Sequence, residues 1–368
     1  MAYTMREVAK RAGVSPATVS RVLNNAHSIS VPTAQRVLQV VNQLNYHKNI
    51  HARRLSTGQS NLLGLVISEI TNPYFPEVIK GFQAAAWDKG FDVLLCNTEY
   101  SRERTDWVIT KLRENDVRGA AFVTASVDKM MTAELTAADV GVVFCNLGPP
   151  ETLVSNVSIN YQPGISQAVE HVVALGHRRT AIIAGPEDNR TAVMIRRALE
   201  AALRQCKLDP HPVTHCDWRV DAGRCVVSAV LSTPEPPTAI FCGNDLIAMG
   251  AMSALEEEGV AIPEDVSVIG IDDISFASLA RPPLTTIRVP REQLGRTAFQ
   301  ALEKMFRLKR HKGAEYTLET ELIVRKSTAP LRQHNLLLAG QQVPPLSDSH
   351  GELDREIPAG SGAPRRRT

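Results

Sequence analysis

Between Thr4 and Leu44, apolar side chains recur every three or four positions in three short runs. Val8, Ala9 and Ala12 share one face of the first. Val19, Val22 and Leu23 share a face of the second, and Val37, Leu38, Val41 and Leu44 a face of the third. Thr4 followed three residues on by Glu7 predicts a capping box at the first helix. Gly13 supplies the left-handed exit from it. Ser15 is the predicted N-cap of the second helix, with Pro16 at its first position, and a third helix is predicted over Thr33 to Leu44. Helices this short do not persist alone, so the three must share a core, with Tyr46 packed against it. The second helix turns Ala17, Thr18, Ser20, Arg21 and Asn24 outward. A helix, a glycine turn and a second helix with a polar outer face form the helix-turn-helix pattern, but the same pattern fits a three-helix cap that binds nothing.

From Asn61 the period changes. "LLGLVI", "FDVLLC", "GAAFVT", "GVVFC", "TAIIAG", "TAIFC" and "VSVIGI" are short apolar runs that read as buried strands. Helical stretches alternate with them, among them "FPEVIKGFQAAAWDKG", "GISQAVEHVVALG" and "LIAMGAMSALEEEG". Continuously apolar strands alternating with helices predict an α/β fold of parallel sheets covered on both faces, here as two similar lobes with a cleft between them. Ligands of such sheets sit beyond the strand C-termini, which makes Ser68 to Phe75, Asn97, Thr124, Asn146, Gly185 to Thr191, Asn244 and Asp272 the candidates.

Charge separates the two readings of the front end. Residues 1–60 hold eight Lys or Arg and one acid, Glu7, a net of +7, while the whole chain is +2, so the remainder carries −5. A basic head on a mildly acidic body is the asymmetry of a protein whose one end meets a polyanion. Phosphate neutralisation by that end makes binding salt-sensitive. The apolar runs are too short to span a membrane, and the N-terminus does not read as a secretion leader. Cys96, Cys145, Cys206, Cys216, Cys225 and Cys242 have no CxxC or zinc spacing and read as reduced cysteines of a cytoplasmic protein, with no metal or cofactor expected.

The stretches "REVAKRAGVSPATVSRVLNN", "NIHARRL", "LLGLVISEITNPYFPEVIKGF", "LGHRRTAIIAGP", "AIFCGNDLIAMGAMSALEEEGVAIPEDVSVIGIDDI" and "PPLTTIRVPREQLGRTA" carry a resemblance. From Tyr3 to about Ala329 the chain resembles the LacI/GalR (lac/gal repressor) family of dimeric DNA-binding regulators. The core of that family resembles a periplasmic binding protein and takes a small effector, often a sugar or sugar derivative, sometimes a purine. The resemblance implies an N-terminal three-helix head, a hinge helix and a two-lobed core. It puts the major-groove helix at Pro16 through Asn24, with Pro16, Ala17 and Arg21 as base-reading positions and Thr4, Ser15, Thr18, Ser20 and Asn24 near phosphates. Arg21 has the reach for O6 and N7 of a guanine. Asn49 to Leu55 corresponds to the hinge, with Leu55 at the position the family inserts into the minor groove and Arg53 beside it. The family pattern "GYRPN" stands here as "NYHKN", so Asn45 and Lys48 replace glycine and proline and loosen the hinge.

Effector contacts implied by the same resemblance are Tyr74, Phe75, Asn146, Thr191, Trp218, Asn244 and Asp272, with Arg190 expected to reach in from the loop before its helix. These residue types suit a sugar-like ligand, since a carboxylate and amides pair with hydroxyls and an indole covers a ring face. Plain structural roles compete, since "NPYF" can simply cap a helix and Trp218 can be core. Two positions depart from the sugar-responsive pattern: Asn146 stands for an aspartate and Ile195 for an arginine. Arg196 and Arg197 follow, but successive helical residues point about 100° apart, so neither substitutes for it.

The resulting organisation is a helix-turn-helix domain at 1–47, a hinge and linker at 48–60, a two-lobed effector-binding and dimerisation domain at 61–330, and a tail at 331–368. The tail is rich in Pro, Gly and charge and is expected to be disordered. Expected partners are a double-stranded operator, a small metabolite and a second copy of the chain, with no membrane. A stand-alone solute-binding protein is the alternative. A nucleotide-dependent enzyme is disfavoured by the lack of G-x-G-x-x-G and G-x-x-x-x-G-K-[ST] motifs.

Overall fold

A computed structural model describes residues 3–23, 29–46, 60–307 and 312–331. The first part is three helices, α1 (Met5–Ala12), α2 (Pro16–Leu23) and α3 (Val31–Gln43). Thr4 and Glu7 close the predicted capping box, and Gly13 takes φ 65° at the C-terminus of α1. Val8, Ala9, Ala12, Val19, Val22, Val37, Val40, Leu44 and Tyr46 form the core of the head. The third helix departs from expectation in two ways. It begins at Val31, and Leu38, placed inward by its spacing, is 45% exposed while Val40 is buried. Two eight-residue helices cover only a narrow stripe of α3, and Leu38 lies about 100° round the axis from Val37.

The second part begins with β1 (Leu62–Ile67), α4 (Tyr74–Trp87), β2 (Asp92–Asn97), α5 (Arg102–Glu114), β3 (Gly119–Val123), α6 (Ala133–Ala137), β4 (Gly141–Cys145) and β5 (Val154–Asn160). It continues through α7 (Gln162–Ala174), β6 (Thr180–Ala184), α8 (Arg190–Gln205), β7 (Pro210–His215), α9 (Val220–Cys225), α10 (Val227–Leu231), β8 (Ala239–Cys242), α11 (Asp245–Glu257), β9 (Ser267–Asp272) and β10 (Thr285–Arg288). It closes with α12 (Arg291–Arg307), β11 (Glu315–Glu319) and β12 (Glu321–Ile323).

Two six-stranded sheets result, in the orders β11-β5-β4-β3-β1-β2 and β12-β10-β9-β8-β6-β7. Every pairing is parallel except that of β10 with β12. Alternation along each strand feeds a core on either face. In the first lobe Leu63, Leu65 and Ile67 join one cluster with Phe82 and Phe299, while Val66 joins another with Leu112 and Phe144. In the second, Ile183, Ile240 and Cys242 pack with α10 and α11, and Ile182, Phe241 and Ile269 face the larger cluster.

The chain passes between lobes three times: from β5 to α7, from β10 to α12 and from β11 to β12. Helix α12 therefore returns to the first lobe, where it crosses α4 at backbone contact. A Cβ at Gly81 would lie 2.0 Å from Glu292 O, and one at Gly295 2.0 Å from Val78 O.

Strand β5 was not among the predicted strands because it is polar, "VSNVSIN". Its buried Asn156 accepts from Leu147 N (3.1 Å) and donates to Glu315 Oε1 (2.8 Å), holding the loop after β4 and the edge strand β11. Polar groups satisfied this way are compatible with burial.

Candidate functional site

The head presents an exposed surface on α2 made by Pro16, Ala17 and Arg21, with Thr18 and Ser20 half-buried beside it. Ser15 Oγ accepts from Thr18 N at 3.1 Å and lies 3.0 Å from Thr18 Oγ1, so these two hydroxyls set the helix start. Thr4 is committed as well. Its N–H and hydroxyl both donate to Glu7 Oε2, at 2.6 and 2.8 Å, and its Oγ1 accepts from Glu7 N. These bonds hold the Glu7 carboxyl below its ordinary range, the Thr4 backbone N–H being the largest cause. A phosphate contact by Thr4 requires opening the box. Asn24, Asn49, Arg53 and Leu55 lie outside the described residues.

In the core, the C-terminal ends of the strands converge on a cavity of about 110 Å³ between the lobes, which opens into an outer mouth of about 1110 Å³. Seven of the eight effector candidates line the cavity: Tyr74, Phe75, Asn146, Thr191, Trp218, Asn244 and Asp272. Three short segments bring helix N-termini here, and each is closed by an asparagine. Asn72 Oδ1 accepts from Tyr74 N (3.0 Å), Asn189 Oδ1 from Ala192 N (3.1 Å) and Asn244 Oδ1 from Ile247 N (2.8 Å). Asn244 is thus a cap and a lining residue at once, its NH₂ left for the cavity. Asn146, at φ 55°, accepts on its Oδ1 from Ile159 N at 2.7 Å.

Trp218 also has two roles. Its ring packs over the ends of β6 and β8, so closely that a Cβ at Gly185 would meet it at 2.4 Å and one at Gly243 at 3.3 Å. That glycine platform holds the ring against the second lobe's core while it lines the cavity. Tyr74 meets Phe75 edge-on at 5.1 Å between centroids. Burial drives the Tyr74 and Tyr161 phenols well up from their ordinary range, so both stay protonated donors.

Asp272 ends β9 with φ 116°, a conformation an L-residue adopts only under constraint. The constraint is Arg291, which is 5% exposed. Its guanidinium donates to Asp272 O and to Asp273 O (2.7 Å for the latter) and pairs with Glu77 Oε2 at 2.9 Å. Asp273 is anchored in turn by Arg288 (2.7 Å) and Arg325 (2.5 Å). Burial, then the neighbouring Asp245, push the Asp272 carboxyl well up, with Arg291 opposing. Asp245 is itself pushed up to about 7, first by burial, although it accepts from Thr286 Oγ1 (2.5 Å) and Ile274 N (2.8 Å).

Arg190 departs from expectation. It is the first residue of α8, begun by the Asn189 cap, and it lines the outer mouth, where it donates to Leu147 O at 3.1 Å from one lobe to the other. Ile195 is buried core, Arg196 pairs with Glu200 and Arg197 is exposed, so none of the three lines the cavity. Asn97 braces the Ile70 backbone at 3.2 Å and stays off the cavity wall. Tyr100, Tyr161 and Arg291 were not among the predicted site residues. Tyr161 follows the polar strand β5, and Arg291 opens the unpredicted helix α12. Among the described residues no group of His, Cys, Asp or Glu could hold a metal ion, and no helix is long and apolar enough to cross a membrane.

A basic helix-turn-helix head followed by two α/β lobes around a polar and aromatic cleft defines the class of DNA-binding regulators with a periplasmic-binding-type core. Comparison with known proteins specifies the family. Residues 4–49 match bacterial regulatory proteins of the lacI family, and residues 169–328 match the periplasmic binding protein-like domain. The chain is 31% identical over 335 residues to the HTH-type transcriptional repressor PurR of Photobacterium profundum, covering 89% of this chain and 99% of that one. It is 33% identical over 339 residues to the HTH-type transcriptional regulator DegA of Bacillus subtilis, covering 90% and 99%. The lac repressor dimer bound to operator and the anti-inducer ONPF superimposes with a TM-score of 0.81 at 29% identity, covering 89% and 100%. The chain belongs to the LacI family of DNA-binding transcriptional regulators.

Proposed function

We propose that this regulator is a cytoplasmic homodimeric repressor whose two heads read the half-sites of a pseudo-palindromic operator. In this reading residues 1–47 bind DNA, 48–60 are the hinge, 61–330 bind the effector and dimerise, and 331–368 are a tail. Pro16 and Ala17 touch base edges through apolar contact, and Arg21 reads a guanine. Thr18 and Ser20 face the phosphates, with Asn24, Asn49 and Arg53 joining them and Leu55 wedging the minor groove.

The observation that carries the effector half of the reading is the convergence of seven residues, separated widely in sequence, on one cavity at the lobe boundary. A metabolite there, whether sugar, sugar derivative or another small ring compound, contacts both lobes. Its differential affinity for two lobe arrangements is what moves the hinge spacing and operator affinity. The lac repressor structure holding both operator and anti-inducer is consistent with such coupling. The test is fluorescence anisotropy on the promoter fragment beside its own gene, repeated with a panel of sugars, sugar acids, amines and nucleobases. Saturable, salt-sensitive binding to an inverted repeat, altered by one panel member, is expected. Equal affinity for random duplex overturns the reading.

A further inference from the structure

We propose that the effector is a cation: a ring-sized protonated amine, held by the Asp272 carboxylate inside an aromatic cage. The inference rests on the effector-site reading above and adds the charge of the ligand. Three features carry it. First, no Lys, Arg or His lines the cavity, and Asp272 is its one acidic side chain. Among the described residues no side chain or N–H donates to that carboxylate. Arg291, the nearby cation, is committed to two backbone carbonyls and Glu77. Burial and Asp245 push this half-buried carboxyl toward its neutral form, and a ligand ammonium beside it draws the ionised form back.

Second, half of the chain's six tyrosines, Tyr74, Tyr100 and Tyr161, line this one cavity with Phe75 and Trp218. Aromatic faces around one carboxylate are the chemistry that recognises ammonium groups. The three helix N-termini at the cavity, which would favour an anion, are closed by Asn72, Asn189 and Asn244. Third, the outer mouth carries five carboxylates, among them Glu69, Glu99 and Asp188, against three arginines. Arg102 and Arg219 are paired there with Asp128 and Asp217, and Arg104 pairs with Glu99, which leaves Glu69 and Asp188 against Arg190. A mouth of net negative sign concentrates cations. The inner cavity of about 110 Å³ is the scale of a single ring, since an apolar cavity of roughly 150 Å³ accepts benzene.

The experiment is a titration of the full-length protein, read by Trp fluorescence and thermal shift, with two ring-matched sets. One is glucosamine, glucose and glucuronate; the other is cyclohexylamine, cyclohexanol and cyclohexanecarboxylate. The expected result is that in at least one set the amine binds at least tenfold more tightly than the neutral ring, with no binding of the anion. Asp272→Asn, checked for folding by circular dichroism, should abolish that preference. Equal or tighter binding of a neutral or anionic ring, failure of both amines to bind, or a preference that survives in Asp272→Asn overturns the proposal. A neutral or anionic ring that changes operator affinity would overturn the charge assignment and leave the effector-site reading standing. If no panel compound of any charge changes operator affinity, the effector-site reading goes as well.

Discussion

Arg291 and Glu77 form an ion pair, 2.9 Å from Nη2 to Oε2, that ties the first-lobe helix α4 to the strand end carrying Asp272. Arg291 stands at the start of α12 and holds the backbone of both Asp272 and Asp273, so one side chain joins the first-lobe helix to the cavity wall. A shift of α4 is thereby felt at the cavity wall, which is the kind of discrete link that allosteric coupling needs.

Replacing Arg291 by methionine leaves the carbonyls of Asp272 and Asp273 without their charged donor. The loss is expected to be about 2–4 kcal/mol in urea unfolding, from two buried acceptors left unpaired. Glu77→Gln should cost less than about 1 kcal/mol, because the Glu77 side chain is 40% exposed and solvent screens the pair. Equal losses from the two substitutions would contradict the asymmetry.

Gly185→Ala puts a methyl 2.4 Å from the Trp218 ring, which must then tilt into the cavity. Effector affinity should fall about tenfold, equivalent to about 1.4 kcal/mol, with operator affinity in the absence of effector unchanged. Effector titration by Trp fluorescence, paired with anisotropy on the operator, measures both.

Arg21→Ala should weaken operator binding by about 1–3 kcal/mol and relax preference at one base pair of each half-site. Arg21→Lys keeps the charge but not the fork, so it should retain affinity for random duplex and lose discrimination. Binding to operators substituted one base pair at a time separates the two effects.

The carboxyl of Asp245 rises from 3.8 to about 7 on folding, with burial the main cause. The native state therefore holds a proton that the unfolded chain gives up. This contribution to stability is complete below about pH 3.8 and is lost as pH rises to about 7. Asp245→Asn, which keeps a donor toward Thr286 and an acceptor toward Ile274, should flatten that part of the Tm-against-pH curve. A wild-type slope that survives in the variant would show that Asp245 is not its source.

How far sequence reasoning reached depends on whether a residue's role is set by near neighbours. Thr4, Glu7, Gly13 and Ser15 do their work within four residues, and spacing alone places each of them. The apolar strands were found because burial on both faces leaves a continuous apolar run. Strand β5 escaped because its buried Ser155 and Asn156 are satisfied by partners more than 150 residues away, at Ala314 and Glu315. Leu38 was misplaced because the width of a helix's buried stripe is set by the helices laid across it.

By itself, then, the order of residues determined the basic head, the local caps, the alternating strands and helices, and the strand ends that line the cleft, since all of these follow from backbone geometry and short-range periodicity. Only the tertiary structure decided which strand ends share a cavity. It drew Tyr161 and Trp218 together, moved Arg190 out to the rim and buried Arg291 behind Asp272. Those outcomes rest on three crossings between lobes and on packing that no local window of sequence contains.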